Sequence, residues 1–261
     1  MYIHKSQKIA LMKKILSVLV IAVVACSCAP KQWVITGSET SAIPLDAATQ
    51  ALADPRMTDF IEPVKKNLDK DMNQVIAQTS EQMRAGKPES LLSNWTSDVY
   101  LAAASQFLKS PVDMAVVNMG SLRAALPAGD ITVGNIFQLM PFENELVVLW
   151  LSGAEVKKLL DIFALEGGQG VGGLTMEITD AQAVNCLIQG NPIENDKLYS
   201  IATNDFLAGG NDRMIPLATP AKRVDTGLKI RNILMEYVIR ETREGRKIQS
   251  ALDGRIKAVT P

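Results

Sequence analysis

The chain has 261 residues, of which 47% are apolar, 5% aromatic and 21% charged, and its 27 basic and 28 acidic residues leave a formal net charge of −1. This length supports one large domain or two small ones with a substantial core. The balanced charge excludes a disordered charged tail and a strongly basic nucleic-acid binder, so no nucleic-acid partner is expected. The single histidine is His4, so the rest of the chain has no histidine for a metal site or a catalytic triad.

Residues 1–25 have the pattern of a secretory signal peptide. Lys13 and Lys14 precede an apolar stretch over residues 15–25, as in the basic and hydrophobic regions of such signals. The stretch is too short for a membrane-spanning helix, which needs about 20 apolar residues. A small residue before Cys26 resembles a bacterial lipobox, so Cys26 is the predicted lipidation site, with Cys28 as the alternative. A secreted, lipid-anchored protein of the periplasm or outer membrane is therefore expected.

Without residues 1–25 the chain is acidic. Those residues hold four lysines and no acids, so residues 26–261 carry 23 basic and 28 acidic residues, a formal charge of about −5. Besides Cys26, this part holds Cys28 and Cys186, from which neither a structural disulfide nor a thiolate metal cluster is expected. Carboxylate and hydroxyl groups therefore remain as the candidate reactive groups.

The predicted elements begin after a tether. Residues 26–53 mix Ser, Thr, Gly and Pro without periodicity and are predicted to be a lipid-anchor tether and lead-in segment. From Asp54, a candidate N-cap, apolar residues recur at helical spacing to residue 68, and Pro63 is expected to kink or restart this helix. The patterns then predict a strand at 74–79, a helix at 91–108 and a strand at 112–118.

The second half alternates strands and helices irregularly. It is predicted to contain strands at 146–151, 174–179, 183–188 and 199–203, helices at 154–164 and from 226 to about 243, a Gly-rich loop at 166–173 and a turn at 190–192. This order predicts an α+β fold in which mixed β-sheets pack with helices in layers, within one domain over residues 54–261.

Polar and aromatic residues cluster in three predicted loops. Asn118 and Arg123 follow an apolar strand, and a guanidinium can bind phosphate or carboxylate through two hydrogen bonds. An ordinary turn with a surface arginine is the alternative. Phe142 and Phe206 lie beside polar residues in separate loops, and two such rings can enclose a flat base, with about 1–3 kcal/mol per stacked base. Each ring taken singly is more typical of a core.

Six short motifs in a fixed order resemble the C-terminal domain of bacterial 5′-nucleotidases and UDP-sugar hydrolases. They are Asn-x-Gly-x-Leu-Arg from residue 118, Gly-Asp-Ile-Thr from 129, Pro-Phe-x-Asn-x-Leu from 141, Leu-Ser-Gly from 151, Gly-Gly-Leu from 172 and Thr-Asn-Asp-Phe-Leu-Ala-Gly-Gly from 203. No single motif is specific, but their shared order is. Glu89, Asn94 and Asp98 resemble the opening of that domain, so the resemblance runs from about residue 54 to the C terminus.

The resemblance implies a role for each matched position on the phosphate and sugar side of a ligand. Asn118 and Arg123 would contact the phosphate end of a nucleotide and the adjacent sugar. Asp212 would hold the ribose hydroxyls. A nucleotide or nucleoside is therefore the expected ligand.

The resemblance also implies how a base would be held. Phe142 and Phe206 would stack on its two faces, and Asn144 would hydrogen-bond to it. Gly172 and Gly173 match a loop whose backbone approaches the base closely.

Two segments depart from the family pattern. The family usually has Gly-Gly-Asp-Gly after Phe-Leu-Ala, whereas this chain has Asn211 and Arg213 where glycines are expected, which would reshape the ribose pocket. Members often carry an arginine three residues before the glutamate that opens the domain, and Gly86 takes that position here. Arg84 and Lys87 are the candidate replacements.

The catalytic half of the family is not recognisable in this sequence. In full-length members a metallophosphatase domain holds two metal ions through Asp-x-His, Gly-Asn-His-Asp/Glu and Gly-His-x-His motifs, and these ions activate water and neutralise the phosphate. The sequence contains none of these motifs. We therefore expect no catalysis by this chain alone, no cofactor on it, and divalent metals on a partner.

These features predict the substrate-binding half of a split 5′-nucleotidase or UDP-sugar hydrolase, acting in extracytoplasmic nucleotide catabolism with a separate metallophosphatase chain. The first alternative is a lipid-anchored nucleoside or nucleotide-binding protein without catalysis. The second is a degenerate domain kept for structure alone.

Overall fold

The computed structural model describes residues 12, 15–18 and 33–259. The chain divides into two units, at residues 1–55 and 56–261. In the first unit, the predicted tether contains one short helix, α1 (Ala47–Gln50), whose N terminus is capped by the Asp46 carboxylate. Cys26 and Cys28 lie outside the described residues. None of the helices in the described part of the chain is long and apolar enough to cross a membrane.

The remaining helices and strands follow in chain order. They are α2 (Pro55–Met72), β1 (Val75–Thr79), α3 (Leu91–Leu108), β2 (Met114–Val117), β3 (Gly129–Thr132), α4 (Val133–Leu139), β4 (Glu145–Ser152), α5 (Gly153–Leu165), β5 (Gly170–Gly172), β6 (Leu174–Thr179), β7 (Gln182–Ile188), β8 (Asn191–Pro192), β9 (Leu198–Asn204), β10 (Lys222–Lys229), α6 (Ile230–Arg243) and β11 (Ile256–Ala258). Short 3-10 turns occupy Met119–Ser121, Leu207–Gly209 and Ile215–Ala218.

A five-stranded sheet forms the centre, in the order β10-β4-β9-β2-β5. Within it β2 and β9 are parallel, whereas the other neighbours are antiparallel. A four-stranded sheet has the order β11-β6-β7-β8, and β1 pairs with β3. The predicted α+β fold with mixed sheets and helices in layers is confirmed.

Two apolar layers cover the opposite faces of the central sheet. Along β4, Leu146 and Val148 pack with α3, α4 and α6, whereas Val147, Leu149 and Leu151 pack with α5 and the four-stranded sheet. Successive side chains of a strand point to opposite faces, so a strand buried on both sides needs an unbroken apolar run. This requirement explains why the sequence predicted the central strands well.

The sequence placed the last helix too early. Residues 226–229 belong to β10, and α6 begins at Ile230. Thr226 donates its hydroxyl to the carbonyl of Leu146 at 2.6 Å, and Gly227 has a φ of +70°. The strand therefore stays paired with β4 and is irregular just before the helix, a local geometry that glycine tolerates.

Two other expectations need correction. The predicted loop at 166–173 contains a strand, because Gly170–Gly172 pairs with β2. Of the two expectations at Pro63, the restart of the helix is wrong, since α2 runs continuously through that residue, and the kink stays a prediction. The predicted strand at 74–79 and the predicted helix at 91–108 are confirmed as β1 and α3.

The apolar face of α2 is exposed. No residue of this helix is buried. Five of its apolar residues are each at least half exposed: Met57, Phe60, Ile61, Val64 and Leu68. The helical pattern in the sequence is therefore real, but the face that it creates is not part of the core.

A polar clamp joins β11 to the start of α3. The Arg255 side chain, only 11% exposed, donates to the Asp98 carboxylate at 2.8 Å, to the Val171 carbonyl at 2.9 Å and to the Asp253 carboxylate at 2.7 Å. Glu89 accepts from the backbone N–H of Asp253 at 3.0 Å. The hydrogen bonds from the Arg255 guanidinium lower the pKa of the Asp253 carboxyl.

Arg255→Ala is expected to lower the free energy of unfolding by about 2–3 kcal/mol, because charge-assisted hydrogen bonds of a nearly buried group are lost. Because the folded-state pKa of Asp253 is lowered, its share of this stabilisation is present above the ordinary aspartate pKa and is lost as the pH falls through the lowered value. Urea denaturation at neutral and acidic pH measures both effects. Arg246→Ala, which removes exposed ion pairs, is the control, and an equal loss in both variants would contradict the clamp.

Candidate functional site

Four loops meet at one edge of the central sheet. Because β2 and β9 are parallel and β4 is antiparallel to β9, the ends of β2 and β9 lie beside the start of β4. Gly170, the first residue of β5, pairs with Val117, the last residue of β2. The register therefore brings together the loops at 118–123, 140–144, 166–169 and 205–213.

The loop at 118–123 is fixed by its own hydrogen bonds. Asn118, 7% exposed, accepts the backbone N–H of Gly120 on its side-chain oxygen at 2.8 Å. The Ser121 hydroxyl donates to the Asn118 carbonyl at 2.6 Å. The backbone N–H of Arg123 donates to the Leu139 carbonyl at 2.9 Å, which ties this loop to the end of α4.

Arg231 of α6 forms hydrogen bonds and an ion pair with the loop at 140–144. Its side chain is 11% exposed and donates to the carbonyls of Met140 at 3.4 Å and Phe142 at 3.5 Å. It also pairs with the Glu143 carboxylate, and its guanidinium lies 4.3 Å from the centre of the Phe137 ring. Sequence reasoning missed this residue, because nothing local distinguishes it from the surface arginines of an amphipathic helix.

A lysine at the end of β10 supports the same loop. Lys229 donates to the Glu143 carbonyl at 3.0 Å and lies 2.9 Å from the Glu145 carboxylate. The hydrogen bond to Glu145 raises the pKa of the Lys229 amine.

The loop at 205–213 is anchored to its neighbour and is locally strained. Asn144 donates to the Asp205 carboxylate at 2.7 Å, so this amide is already engaged by the protein. Asn211 donates to the Phe206 carbonyl at 2.7 Å. Asp212 and Arg213 both have left-handed backbone conformations, with φ of 52° and 64°. Such conformations are unfavourable for residues with a β-carbon.

A cavity of about 540 Å³ opens between three of these loops. It contains six of the eight predicted substrate-binding residues: Asn118, Arg123, Phe142, Asn144, Phe206 and Asp212. The rings of Phe142 and Phe206 are 37% and 41% exposed, so neither is a core residue. The Arg123 guanidinium lies 5.2 Å from the centre of the Phe142 ring. One surface therefore combines aromatic faces, a guanidinium and a carboxylate.

The structure does not bring Gly172 and Gly173 to this cavity. Gly172 pairs with Ala115, inside β2 and away from the loop edge. A β-carbon on Gly173 would lie 2.4 Å from the Asp113 carbonyl oxygen. Glycine is therefore needed at 173 because a side chain there would clash with the backbone at Asp113. Neither Gly172 nor Gly173 lines the cavity.

A second cavity, of about 390 Å³, adjoins the first. The two share Asn118, Gly120 and Asp212, and the second is completed by Lys87, Met119, Glu166, Gln169, Arg213 and Met214. A separate groove of about 420 Å³ lies between α3 and α6 and shares no residue with either. Within residues 12, 15–18 and 33–259, no group of three or more His, Cys, Asp or Glu is arranged to hold a metal ion.

Arg231→Met is expected to loosen the loop at 140–144, because its two carbonyl hydrogen bonds and its ion pair disappear. A loss of about 1–1.5 kcal/mol of hydrogen bonding corresponds to roughly five- to tenfold faster amide hydrogen exchange there. Mass spectrometry of the exchanged peptides measures it. Arg240→Met, which removes a half-exposed arginine of the same helix, should leave the loop unchanged, and equal protection in both variants would exclude a role for Arg231.

Comparison with known proteins confirms the resemblance to the 5′-nucleotidase C-terminal domain. The family model described as the C-terminal domain of 5′-nucleotidase matches residues 75–219, more than half of the chain. Protein UshA of Yersinia enterocolitica is 28% identical over 196 residues, which are 73% of this chain and 36% of that protein. A 5′-nucleotidase of Vibrio parahaemolyticus is 26% identical, over 71% of this chain and 34% of its own.

A solved structure extends the agreement to the fold. The crystal structure of a 5′-nucleotidase precursor from Thermus thermophilus is similar with a TM-score of 0.66 and 27% identity, over 81% of this chain and 43% of that chain. The chain spans about a third of the length of the two curated relatives named above. The matched region contains the loops at 118–123, 140–144 and 205–213, and the chain belongs to the family of 5′-nucleotidase C-terminal domains.

Proposed function

We propose that this chain binds a nucleotide or nucleoside in the cavity of about 540 Å³ and is the substrate-binding half of a split 5′-nucleotidase or UDP-sugar hydrolase. The observation that carries the proposal is the meeting of Phe142, Phe206, Arg123 and Asp212 in that one cavity. Half-exposed rings suit a flat base, a carboxylate suits a diol, and a guanidinium suits a phosphate. The volume is in the range of small-molecule sites.

Arg123 and Phe142 suggest how the ligand would lie. The guanidinium lies against one face of the Phe142 ring, so the base would stack on the opposite face. Asp212 is shared with the second cavity and would accept hydrogen bonds from the ribose at the border between the two.

Hydrolysis would take its metal donors from another chain. Residues 26–261 contain no histidine, and the carboxylates of the described cavity are committed to hydrogen bonds within the protein or placed to meet the sugar. The residues of this chain would bind and orient the substrate. Two divalent ions on a metallophosphatase chain would activate water and neutralise the phosphate. Lipidation at Cys26 would hold the protein at a membrane outside the cytoplasm, where such a partner would meet it.

The exposed face of α2 is the surface that we propose for this partner. Two halves without a covalent linker need an interface of roughly 1,000 Å² or more with an apolar centre. Residues Met57, Phe60 and Val64 form the middle of such a face and are 55%, 76% and 68% exposed. The proposed occupant is the metallophosphatase chain.

Isothermal titration with AMP, adenosine and UDP-glucose tests the binding site. We expect micromolar binding of at least one of them, and a loss of roughly five- to 100-fold in Phe142→Ala and Phe206→Ala, because each variant removes one stacking surface. Phe107→Ala is the matched control, since Phe107 is 42% exposed and lies outside both cavities of the loop edge. No binding by the folded protein would refute the proposal.

Co-purification with secreted metallophosphatases, followed by an AMP and UDP-glucose hydrolysis assay, tests the split arrangement. We expect one partner to copurify and to hydrolyse substrate only with this chain, and Phe60→Asp to reduce copurification at least about tenfold, because a charge is placed in an apolar contact. Phe107→Asp controls for the added charge. If the chain binds nucleosides but no partner confers activity, the protein is a binding protein without catalysis.

A further inference from the structure

We infer that Asp205 is a positioning residue that fixes the orientation of the Asn144 side chain, so that the first cavity selects bases with an exocyclic amino group, as in adenine and cytosine. The inference rests on the proposed function, since it concerns the base of a bound nucleoside. Asn144 lines this cavity together with Phe142 and Phe206. Two stacking rings accept any flat base, so the choice between bases falls to a polar group at the edge of the base.

The Asn144 amide has one favourable orientation beside Asp205. Its nitrogen, Nδ2, donates to Oδ1 of the Asp205 carboxylate at 2.7 Å. A carboxylate can only accept hydrogen bonds, so the amide must turn its nitrogen, and not its oxygen, towards Asp205. An amide in place of Asp205 could both donate and accept, and either orientation of Asn144 would then find a partner. The carboxylate of Asp205 therefore decides which atom of the Asn144 amide faces away from it.

The backbone holds both residues in place. The N–H of Asp205 donates to the Glu145 carbonyl at 2.9 Å, which continues the pairing of β9 with β4 past the end of β9. The Asn144 carbonyl accepts the N–H of Ile230, the first residue of α6, at 3.0 Å. The two side chains therefore meet between fixed points of the backbone, and the geometry of their hydrogen bond is set by the fold.

The oxygen of the Asn144 amide is left for a ligand. Among the described residues no donor reaches this oxygen, and it is not one of the buried side-chain atoms that lack a partner. Since Asn144 is only partly buried, its oxygen is accessible to solvent on a residue that lines the cavity. An acceptor in this place requires an N–H donor from the base.

The chemistry of the base edge then gives the selection. An asparagine amide matches adenine by accepting from the amino group at C6 while its remaining N–H donates to N7. Cytosine also offers an amino group, at C4. Hypoxanthine and uracil carry a carbonyl oxygen at these positions, so two acceptors would face each other across the contact. AMP and adenosine therefore fit the site, and UDP-glucose, whose base is uracil, fits it less well.

Isothermal titration with adenosine and inosine tests the inference, because these nucleosides differ only in the amino or keto group at C6 and the hydrogen on N1. We expect wild-type protein to bind adenosine about tenfold more tightly than inosine, since the keto base leaves the amide oxygen unpaired. In Asp205→Asn the Asn144 amide is free to turn, so inosine should bind more tightly than it does to wild-type protein and the difference should fall below about threefold. A general loosening of the loops would weaken both nucleosides and would not improve the binding of inosine.

Two further variants complete the test. Asn144→Ala removes the amide and leaves Asp205 in place, so the two nucleosides should bind almost equally, and adding Asp205→Asn should change this ratio no further. Asp113→Asn is the matched control. The Asp113 carboxylate also accepts from a side chain, the Ser200 hydroxyl at 2.7 Å, but it lies at the opposite end of β2 from the cavity, and its replacement should leave the ratio at the wild-type value.

Several results would overturn the role of Asp205 while nucleoside binding stands. They are equal affinity of wild-type protein for both nucleosides, a preference for inosine, an unchanged ratio in Asp205→Asn, and a fall of the ratio in Asp113→Asn. The wild-type preference by itself requires the amide oxygen to face the base, so the inference can fail even where Asp205→Asn does not fold. If wild-type protein binds neither nucleoside, the proposed function itself fails.

Discussion

The parallel pairing of β2 with β9 is the constraint on which the site depends. The other neighbouring strands of this sheet are antiparallel, so this one parallel pairing places the C-terminal ends of β2 and β9 at the same edge of the sheet. Asn118 and Asp205, the first residues after these strands, therefore begin loops that face each other. Had β9 been antiparallel to β2, Phe206 would lie at the opposite end of the sheet from Asn118. The position of the cavity is therefore set first by the direction of the strands, and the loop sequences then determine which side chains line it.

The loops are polar and irregular, but the elements that carry them are not. Both faces of the central sheet are covered by apolar layers, which fix the ends of β2, β4 and β9 in space. Arg231 and Lys229 extend this rigidity to the loop that carries Phe142. A binding site gains precision when the groups that touch the ligand are held by such supporting contacts, because less ordering is needed on binding.

Helices and strands with a clear local residue pattern could be predicted from the sequence. Contacts between residues that are far apart in the sequence could not. The unbroken apolar run of β4 and the capped helix α3 are visible in the residues themselves. β10 is an edge strand with polar residues at most positions, so its Lys-Arg-Val-Asp pattern does not distinguish it from a loop or a helix start. The motifs name six residues that the structure places around one cavity. The motifs did not indicate that Gly172 lies away from this cavity. Its location follows from its pairing with Ala115, a residue that is distant in the sequence.

The clamp at Arg255 has a consequence for the order in which the domain can form. The hydrogen bonds from Arg255 to Asp98 span 157 residues, and Glu89 joins the same group, two residues after Lys87. Contacts of such long range can close only after nearly all of the domain has been synthesised. During synthesis, the segment that carries Lys87 and Glu89 is made long before Arg255. Lys87, which lines the second cavity, therefore lies two residues from a group of hydrogen bonds that only the finished domain can form.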